Sequence, residues 1–275
     1  AGGYAVVTGA TARPIQAQAD GTMDLDEVRA AFRPDDHHQP PTALVTLENT
    51  NSPRLGRPIS AEYTARLADL AHEHGVPLHV DGARLFNAVV AQETTAEALV
   101  GPADSATFCL SKGLACPVGS LVVGEVDFIE RAHRARKLVG GGMRQAGIIA
   151  AAGLLALQDG SAGMVERLAD DHANAKRLAE GLADIDGIVG IDPTAVTTNY
   201  LVFGLRPRPG QDLLEARTAF MAETGSRGLA YVTYPGGRVR ALTHYGIERD
   251  DIERALDITR EALTAAGLAA VATAI

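Results

Sequence analysis

The chain has 275 residues, a length that corresponds to one large domain or two modest ones. Its 25 Lys and Arg residues are outnumbered by 34 Asp and Glu residues, and this acidic balance argues against a nucleic-acid-binding protein. Two cysteines are too few for a disulfide framework, and no apolar stretch or secretory signal indicates a membrane, so we expect a cytoplasmic protein.

The first part of the sequence alternates short β-branched segments with helical patterns. Residues 4–8 form a short apolar run, and buried strands are predicted at residues 42–47, 77–81, 104–110 and 118–123. Asp24 can cap a helix that runs to Phe32, and Ser60 can cap a second helix that ends just before Gly75. This alternation predicts an α/β fold with a mostly parallel sheet covered by helices.

The pattern changes after residue 124. Helices are predicted at residues 127–138, 143–157, 164–182, 212–223 and 251–265, and short strands at residues 188–191, 199–203 and 239–242. Gly160 and Ser161 mark a boundary between a large domain, residues 1–160, and a small C-terminal α+β domain, residues 161–275.

Two residues at predicted strand ends are candidates for chemistry. Lys112 follows one apolar strand and Asp81 ends another, 31 residues earlier, which is the length of one strand–helix–strand step. Such a lysine can be a nucleophile, although most lysines are simply exposed. Such an aspartate can meet a cation, although it can equally cap the next helix. Together they suit pyridoxal phosphate (PLP), whose aldehyde needs an amine and whose ring nitrogen needs a carboxylate.

A third candidate is the basic, glycine-rich segment 136–145. Lys137 and Arg144 flank the triplet Gly140-Gly141-Gly142, which opens a predicted helix. Free N–H groups at a helix start attract anions, so the segment suits a phosphate. It is also compatible with an ordinary helical hairpin that carries solvated basic residues.

Four ordered motifs resemble the low-specificity L-threonine aldolases. The motifs are Thr46-Leu-Glu-Asn-Thr50, Leu78-His-Val-Asp-Gly-Ala-Arg-Leu-Phe-Asn87, Cys109-Leu-Ser-Lys-Gly-Leu114 with Pro117-Val-Gly-Ser120, and Arg136-Lys-Leu-Val-Gly-Gly-Gly-Met-Arg-Gln145. The resemblance covers essentially the whole chain and is strongest from about residue 36 to residue 160. It implies a fold-type-I PLP enzyme of the β-eliminating lyase superfamily, of the PLP-dependent transferase-like fold with helices on both faces of the sheet.

The resemblance also implies which residues hold the cofactor. Lys112 matches the lysine that binds PLP covalently, and Asp81 matches the carboxylate on the pyridine nitrogen. Arg84 matches an arginine near the phenolic oxygen of the ring. Lys137 and Arg144 match basic residues near the cofactor that are contributed in part across a subunit interface, so we expect a homodimer or homotetramer with shared active sites.

For the substrate, the resemblance implies reversible cleavage of L-threonine or L-allo-threonine to glycine and acetaldehyde. Arg240 matches the arginine that binds the substrate carboxylate, for which a guanidinium fork is well suited. His38 falls where the family carries a histidine near the substrate, and we expect it to take the proton of the β-hydroxyl group. The implied roles are threonine catabolism and glycine biosynthesis.

The sequence departs from the family pattern at three places. It begins inside that pattern, without the Ser/Thr-Gly-Thr phosphate loop and the ring-stacking histidine; Asn51 replaces a histidine; and residues 52–55 lengthen the following loop. Three alternatives therefore stay open: a PLP-dependent β-eliminating lyase, a racemase on the same scaffold, and a catalytically incomplete assembly partner.

A metal site is not expected. The side chains considered as ligands are His72, His74, His79 and Asp81. The first two are spaced to point apart on a helix, and two ligands on one strand do not make a site.

Overall fold

The computed structural model describes residues 2–268 and contains two four-stranded sheets. The first sheet consists of β1 (Val45–Glu48), β2 (Leu78–Asp81), β3 (Ser105–Cys109) and β4 (Ser120–Gly124), in that spatial order. Strands β1, β2 and β3 are parallel, and β4 pairs antiparallel with β3. The predicted mostly parallel α/β sheet is confirmed.

Seven helices accompany the first sheet within residues 2–157. They are α1 (Gly3–Thr8), α2 (Leu25–Ala31), α3 (Ala61–Glu73), α4 (Leu85–Ala91), α5 (Ala96–Val100), α6 (Val126–Leu138) and α7 (Gly147–Ala156). The predicted caps are present, since Asp24 accepts hydrogen bonds from the first turn of α2 and Ser60 accepts one from Tyr63 N–H. In α3 the buried residues Leu67, Ala68 and Leu70 lie on one face of the helix and belong to the core cluster that contains residues of the sheet.

The second sheet lies in the C-terminal part of the chain, with the antiparallel order β5-β6-β8-β7. Its elements are α8 (Leu168–Ala183), β5 (Ile188–Val189), β6 (Tyr200–Leu205), α9 (Leu213–Ser226), β7 (Val232–Tyr234), β8 (Arg238–Leu242) and α10 (Arg249–Ala265). Phe203, Phe220 and Tyr231 pack edge-to-face or stacked in the core between this sheet and its helices. The proposed domain boundary near residue 160 falls between the two sheets and stays a prediction.

Several elements differ from their predicted form. Residues 4–8 lie in the exposed helix α1, α7 begins at Gly147 and α8 at Leu168, later than predicted, and helices α4 and α5 and strand β7 were not predicted. Strand β7 has only three residues, too few for an alternating pattern to be recognised. Within residues 2–268, no helix combines the length and the apolar character needed to cross a bilayer.

The two sheets meet at a loop that follows β1. The Thr198 hydroxyl donates to the Gly56 carbonyl oxygen over 3.0 Å, which joins the start of β6 to this loop. Gly56 has a φ of +69°, and a Cβ on it would lie 2.8 Å from Tyr200 Cβ. Only glycine fits this close approach.

We expect Gly56→Ala to lower the free energy of unfolding by about 2–4 kcal/mol, because it adds both backbone strain and overpacking against Tyr200. Gly75→Ala is the matched control, since Gly75 has a φ of +68° and a methyl group on it would have no other atom within 4 Å. This control should lose only about 1 kcal/mol. Urea unfolding measures both values, and equal losses would contradict the close contact.

Candidate active site

Strands β1, β2 and β3 direct their carboxyl ends to one edge of the first sheet. The parallel register places Glu48 beside Asp81 and Asp81 beside Thr107, and Lys112 lies in the turn that follows β3. Ligands of open α/β sheets bind at this edge, because loops and free side chains converge there. Asp81 and Lys112, the predicted pair, therefore both lie at the edge formed by the carboxyl ends of these strands.

Asp81 is exposed at the end of β2, where the backbone turns sharply. Gly82 N–H donates to the Thr107 carbonyl oxygen over 2.8 Å, and a Cβ on Gly82 would lie 2.7 Å from that oxygen. The Asp81 carboxylate accepts a hydrogen bond from Ala83 N–H, and within residues 2–268 it has no cationic partner within 4 Å. Its negative charge is thus available to a ligand.

Lys112 is exposed, and the residue after it fixes its loop. A Cβ on Gly113 would lie 2.7 Å from Leu168 Cδ2 and 3.2 Å from Asn87 Oδ1, so the loop rests directly on α4 and α8. The buried Asn87 amide donates to His172 Nε2 over 3.0 Å, and burial lowers the pKa of His172 to about 4. His172 is therefore neutral at pH 7 and can accept this bond.

Two guanidinium groups face one aromatic ring near this edge. Arg84, which immediately precedes α4, has its Cζ 5.4 Å from the centre of the Tyr200 ring, and Arg240 has its Cζ 5.6 Å from the same centre. Burial and, to a lesser degree, the charge of Arg240 lower the pKa of Arg84, while Tyr200 and Glu48 raise it. Neither arginine has a carboxylate within 4 Å in the described part of the chain.

The register of the second sheet explains why Arg240 meets Tyr200. Tyr200 pairs with Leu242 and Val202 pairs with Arg240, so Tyr200 and Arg240 are diagonal neighbours on one face. The Arg240 Nε atom is buried without a hydrogen-bond partner. Two cations with an unused buried donor form a site for an anion such as a carboxylate.

The structure does not bring His38 to this edge. Its Nδ1 atom lies 3.0 Å from an oxygen of Asp36, in a loop that precedes β1. The neighbouring residues His37 and Gln39 line a cavity of about 420 Å³ together with Val76, which precedes the amino end of β2. Within this chain His38 therefore lies near the opposite edge of the sheet, because its loop enters β1 from that side, and its expected role beside the substrate stays a prediction.

Lys137 and Arg144 are exposed, and among the described residues neither contacts Asp81 or Lys112 at the sheet edge. The Lys137 side chain packs against Gly142, where a Cβ would lie 2.7 Å from Lys137 Cδ. Within residues 2–268, no hydrogen bond, ion pair or ring contact joins either residue to Asp81 or Lys112. Their predicted approach to the cofactor is not achieved by contacts inside one chain.

The histidines considered for metal binding do not converge. His72 pairs with Asp104 over 2.9 Å, His74 stacks on Phe32 and His79 bonds to Ser105. A different group of potential ligand atoms, within 4.8 Å of one another, lies in the largely exposed loop before β1 and comprises Asp36, His37 and His38.

Sequence reasoning did not single out Glu48 or Tyr200 as functional residues. Glu48 ends β1 as Asp81 ends β2, so its position at a strand end was the available signal. Tyr200 gave no such signal, because its neighbours Arg84 and Arg240 are distant in sequence.

The sequence of this chain is similar to those of known lyases and aldolases. Residues 1–205 match the family described as beta-eliminating lyase. The low specificity L-threonine aldolase of Escherichia coli O157:H7 is 42% identical over 252 residues, which cover 92% of this chain and 70% of that protein.

Solved structures show the same fold. Threonine aldolase from Leishmania major superposes with a TM-score of 0.66 at 18% identity, covering 89% of this chain and 68% of that one. A structure of SPT with PLP superposes with a TM-score of 0.63 at 18% identity, covering 89% and 59%. The family match over residues 1–205 and the identity to the E. coli protein show that the chain belongs to the beta-eliminating lyase family.

Proposed function

We propose that this chain is a PLP-dependent threonine aldolase that reversibly cleaves L-threonine or L-allo-threonine to glycine and acetaldehyde. The observation that carries the proposal is the arrangement of Asp81 and Lys112 at one sheet edge, beside the paired guanidinium groups of Arg84 and Arg240. The family match and the name of the E. coli relative support the same reaction.

The residues at this edge fit PLP. Asp81 carries a negative charge without a cationic partner among residues 2–268, as a protonated ring nitrogen requires. Lys112 offers an exposed amine for the aldehyde carbon. When bound, PLP supplies an electron sink for the pair of electrons left at Cα by bond cleavage.

The protein's own contribution is binding and orientation. Arg240 and Arg84 would bind the carboxylate of the amino acid and thereby fix the rotation about its Cα bonds, which orients the Cα–Cβ bond for cleavage. For Arg84 this is a different role from the contact with the phenolic oxygen that the resemblance implies, and it follows from the position of Arg84 beside Arg240 at the Tyr200 ring. Asp81 keeps a proton on the ring nitrogen, which maintains the electron demand of the ring.

The exposed apolar surface of residues 118–155 supports a homo-oligomer. Leu138 is 77% exposed, Ile148 is 83% exposed and Leu154 is 74% exposed, which is unusual for side chains of this size in an isolated subunit. A second copy covering this surface would bury them and would bring basic residues such as Lys137 and Arg144 towards a neighbouring active site. We propose that the protein is a dimer or tetramer with shared active sites. It acts in the cytoplasm, in threonine catabolism and glycine biosynthesis.

Lys112→Ala should abolish threonine cleavage, by on the order of a thousandfold or more, because the amine that binds the cofactor is lost. It should also lose the absorbance of covalently held PLP after gel filtration. Lys176→Ala, at an exposed position of α8, is the control and should keep both properties. An unchanged absorbance in the Lys112 variant would refute the assignment.

The products of the unmodified protein test the reaction type. Incubation with threonine should give glycine and acetaldehyde, whereas a β-eliminating lyase would release a keto acid and ammonia from serine or cysteine. A racemase would only invert the configuration at Cα of the amino acid, without breaking its Cα–Cβ bond. Either of these outcomes, without acetaldehyde, would replace the aldolase proposal.

Arg240→Gln should raise the KM for threonine roughly 10- to 100-fold, the loss expected when a charged hydrogen-bond pair to a carboxylate is removed. Arg206→Gln is the control, since Arg206 pairs with Asp186 on the surface over 2.8 Å. Steady-state kinetics measures both variants, and equal KM values for the two would exclude a carboxylate site at Arg240.

His38→Ala should leave threonine cleavage and cofactor binding unchanged, because His38 lies near the opposite edge of the sheet from Asp81. Turnover at saturating threonine is the measurement. A large fall in kcat with normal PLP absorbance would restore the histidine to the active site, through a neighbouring subunit.

A further inference from the structure

Tyr200 occupies the centre of the proposed carboxylate site without offering it a charge. It is the first residue of β6, its side chain is 1% exposed, and its ring faces the guanidinium groups of both Arg84 and Arg240. Arg84 follows the first sheet's β2, whereas Tyr200 and Arg240 belong to the second sheet. The Tyr200 ring is thus in contact with one cation that follows the first sheet and with one cation of the second sheet.

The position of the ring is strongly constrained. Tyr200 Cβ lies so close to Gly56 that a methyl group there would approach it to 2.8 Å, and Thr198 holds the Gly56 carbonyl by a hydrogen bond. On the sheet, Tyr200 and Arg240 are diagonal neighbours on the same face. The backbone on both sides therefore constrains the point from which the Tyr200 ring projects towards Arg240.

Two guanidinium groups that approach each other in a partly buried site repel. Within residues 2–268 no carboxylate lies within 4 Å of either group, and Glu48 acts on Arg84 only from a greater distance. The face of an aromatic ring is negative and attracts cations with about 0.5–2 kcal/mol each, which corresponds to a factor of about 2 to 30. The Tyr200 ring is the group in contact with both cations that can hold them together before an anion binds.

We propose that Tyr200 is a positioning residue, whose ring holds Arg84 and Arg240 at the separation at which both bind one substrate carboxylate. This inference rests on the proposed function, since it assumes that the substrate carboxylate binds there. Tyr200 acts through the two arginines, so its loss affects substrate binding more than the bond-breaking step.

The principal test compares Tyr200→Leu, which removes the aromatic face, with Tyr200→Phe, which keeps it. We expect Tyr200→Leu to raise the KM for threonine about tenfold with a smaller change in kcat, and Tyr200→Phe to stay near the unmodified protein. Phe203→Leu is the matched control, because Phe203 is equally buried in β6 but packs in the core with Phe220 and Tyr231. It should lose stability without a change in KM.

A second measurement does not depend on turnover or on PLP. Low millimolar sulfate, at ionic strength matched with chloride, should raise the thermal midpoint of the PLP-free protein by binding the two guanidinium groups. The rise should persist in Phe203→Leu and Tyr200→Phe and be lost in Tyr200→Leu and Arg240→Gln.

If Tyr200→Leu does not fold, a strongly fluorinated phenylalanine at position 200 replaces it, since fluorination removes the negative face and keeps the ring shape. It should reproduce the rise in KM relative to Tyr200→Phe. Unchanged KM and unchanged sulfate stabilisation in the non-aromatic or fluorinated variant would overturn the role of Tyr200. If Arg240→Gln also leaves KM unchanged, the proposed carboxylate site fails, while the sulfate measurement still reports whether Tyr200 holds the guanidinium pair.

Discussion

The parallel pairing of β1, β2 and β3 is the constraint on which the candidate site depends. In-register parallel strands necessarily end together, so Glu48, Asp81 and the loop that carries Lys112 share one edge. Tight turns then hold these groups in place, because Gly82 and Gly113 leave no room for a side chain against Thr107, Leu168 and Asn87. A carboxylate and an amine are thereby held by backbone geometry, without the need for an ion pair between them.

The second sheet contributes Arg240, the second guanidinium group of the proposed site for the anionic end of a substrate. Arg240 approaches from β8 and Arg84 from the turn after β2, and both guanidinium groups lie over the ring of Tyr200. Because the two arginines come from different sheets, any change in how the sheets pack changes the distance between the cations. The Gly56–Thr198 contact thus bears on the proposed carboxylate site as well as on stability.

The features that could be predicted from sequence are those encoded locally. Ser60 and Gly75 mark the ends of α3 through their own backbone preferences, and Asp81 stands at a strand end whose apolar run is visible in the sequence. The position of His38 relative to the sheet could not be predicted from sequence, because the direction in which a loop enters a strand is set by tertiary packing. Tyr200 was missed because its role depends on contacts with residues that are distant in sequence, which no local pattern records.

One of the two edge strands of the first sheet exposes apolar side chains. Strand β4 pairs only with β3 among the described strands, and its residues Leu121, Val122 and Val123 are 39–41% exposed. An edge strand with apolar side chains is an efficient template for pairing with further polypeptide, so a subunit with such an edge gains stability when the edge is covered.

The apolar surface of residues 118–155 continues from this edge through α6, which has no buried residue, to α7. The proposed catalytic groups therefore lie at the carboxyl ends of the parallel strands, whereas assembly would be driven from the edge strand β4. The turn after β3 that carries Lys112 leads directly into β4. Covering β4 would consequently restrict the motion of the loop on which the proposed cofactor site depends.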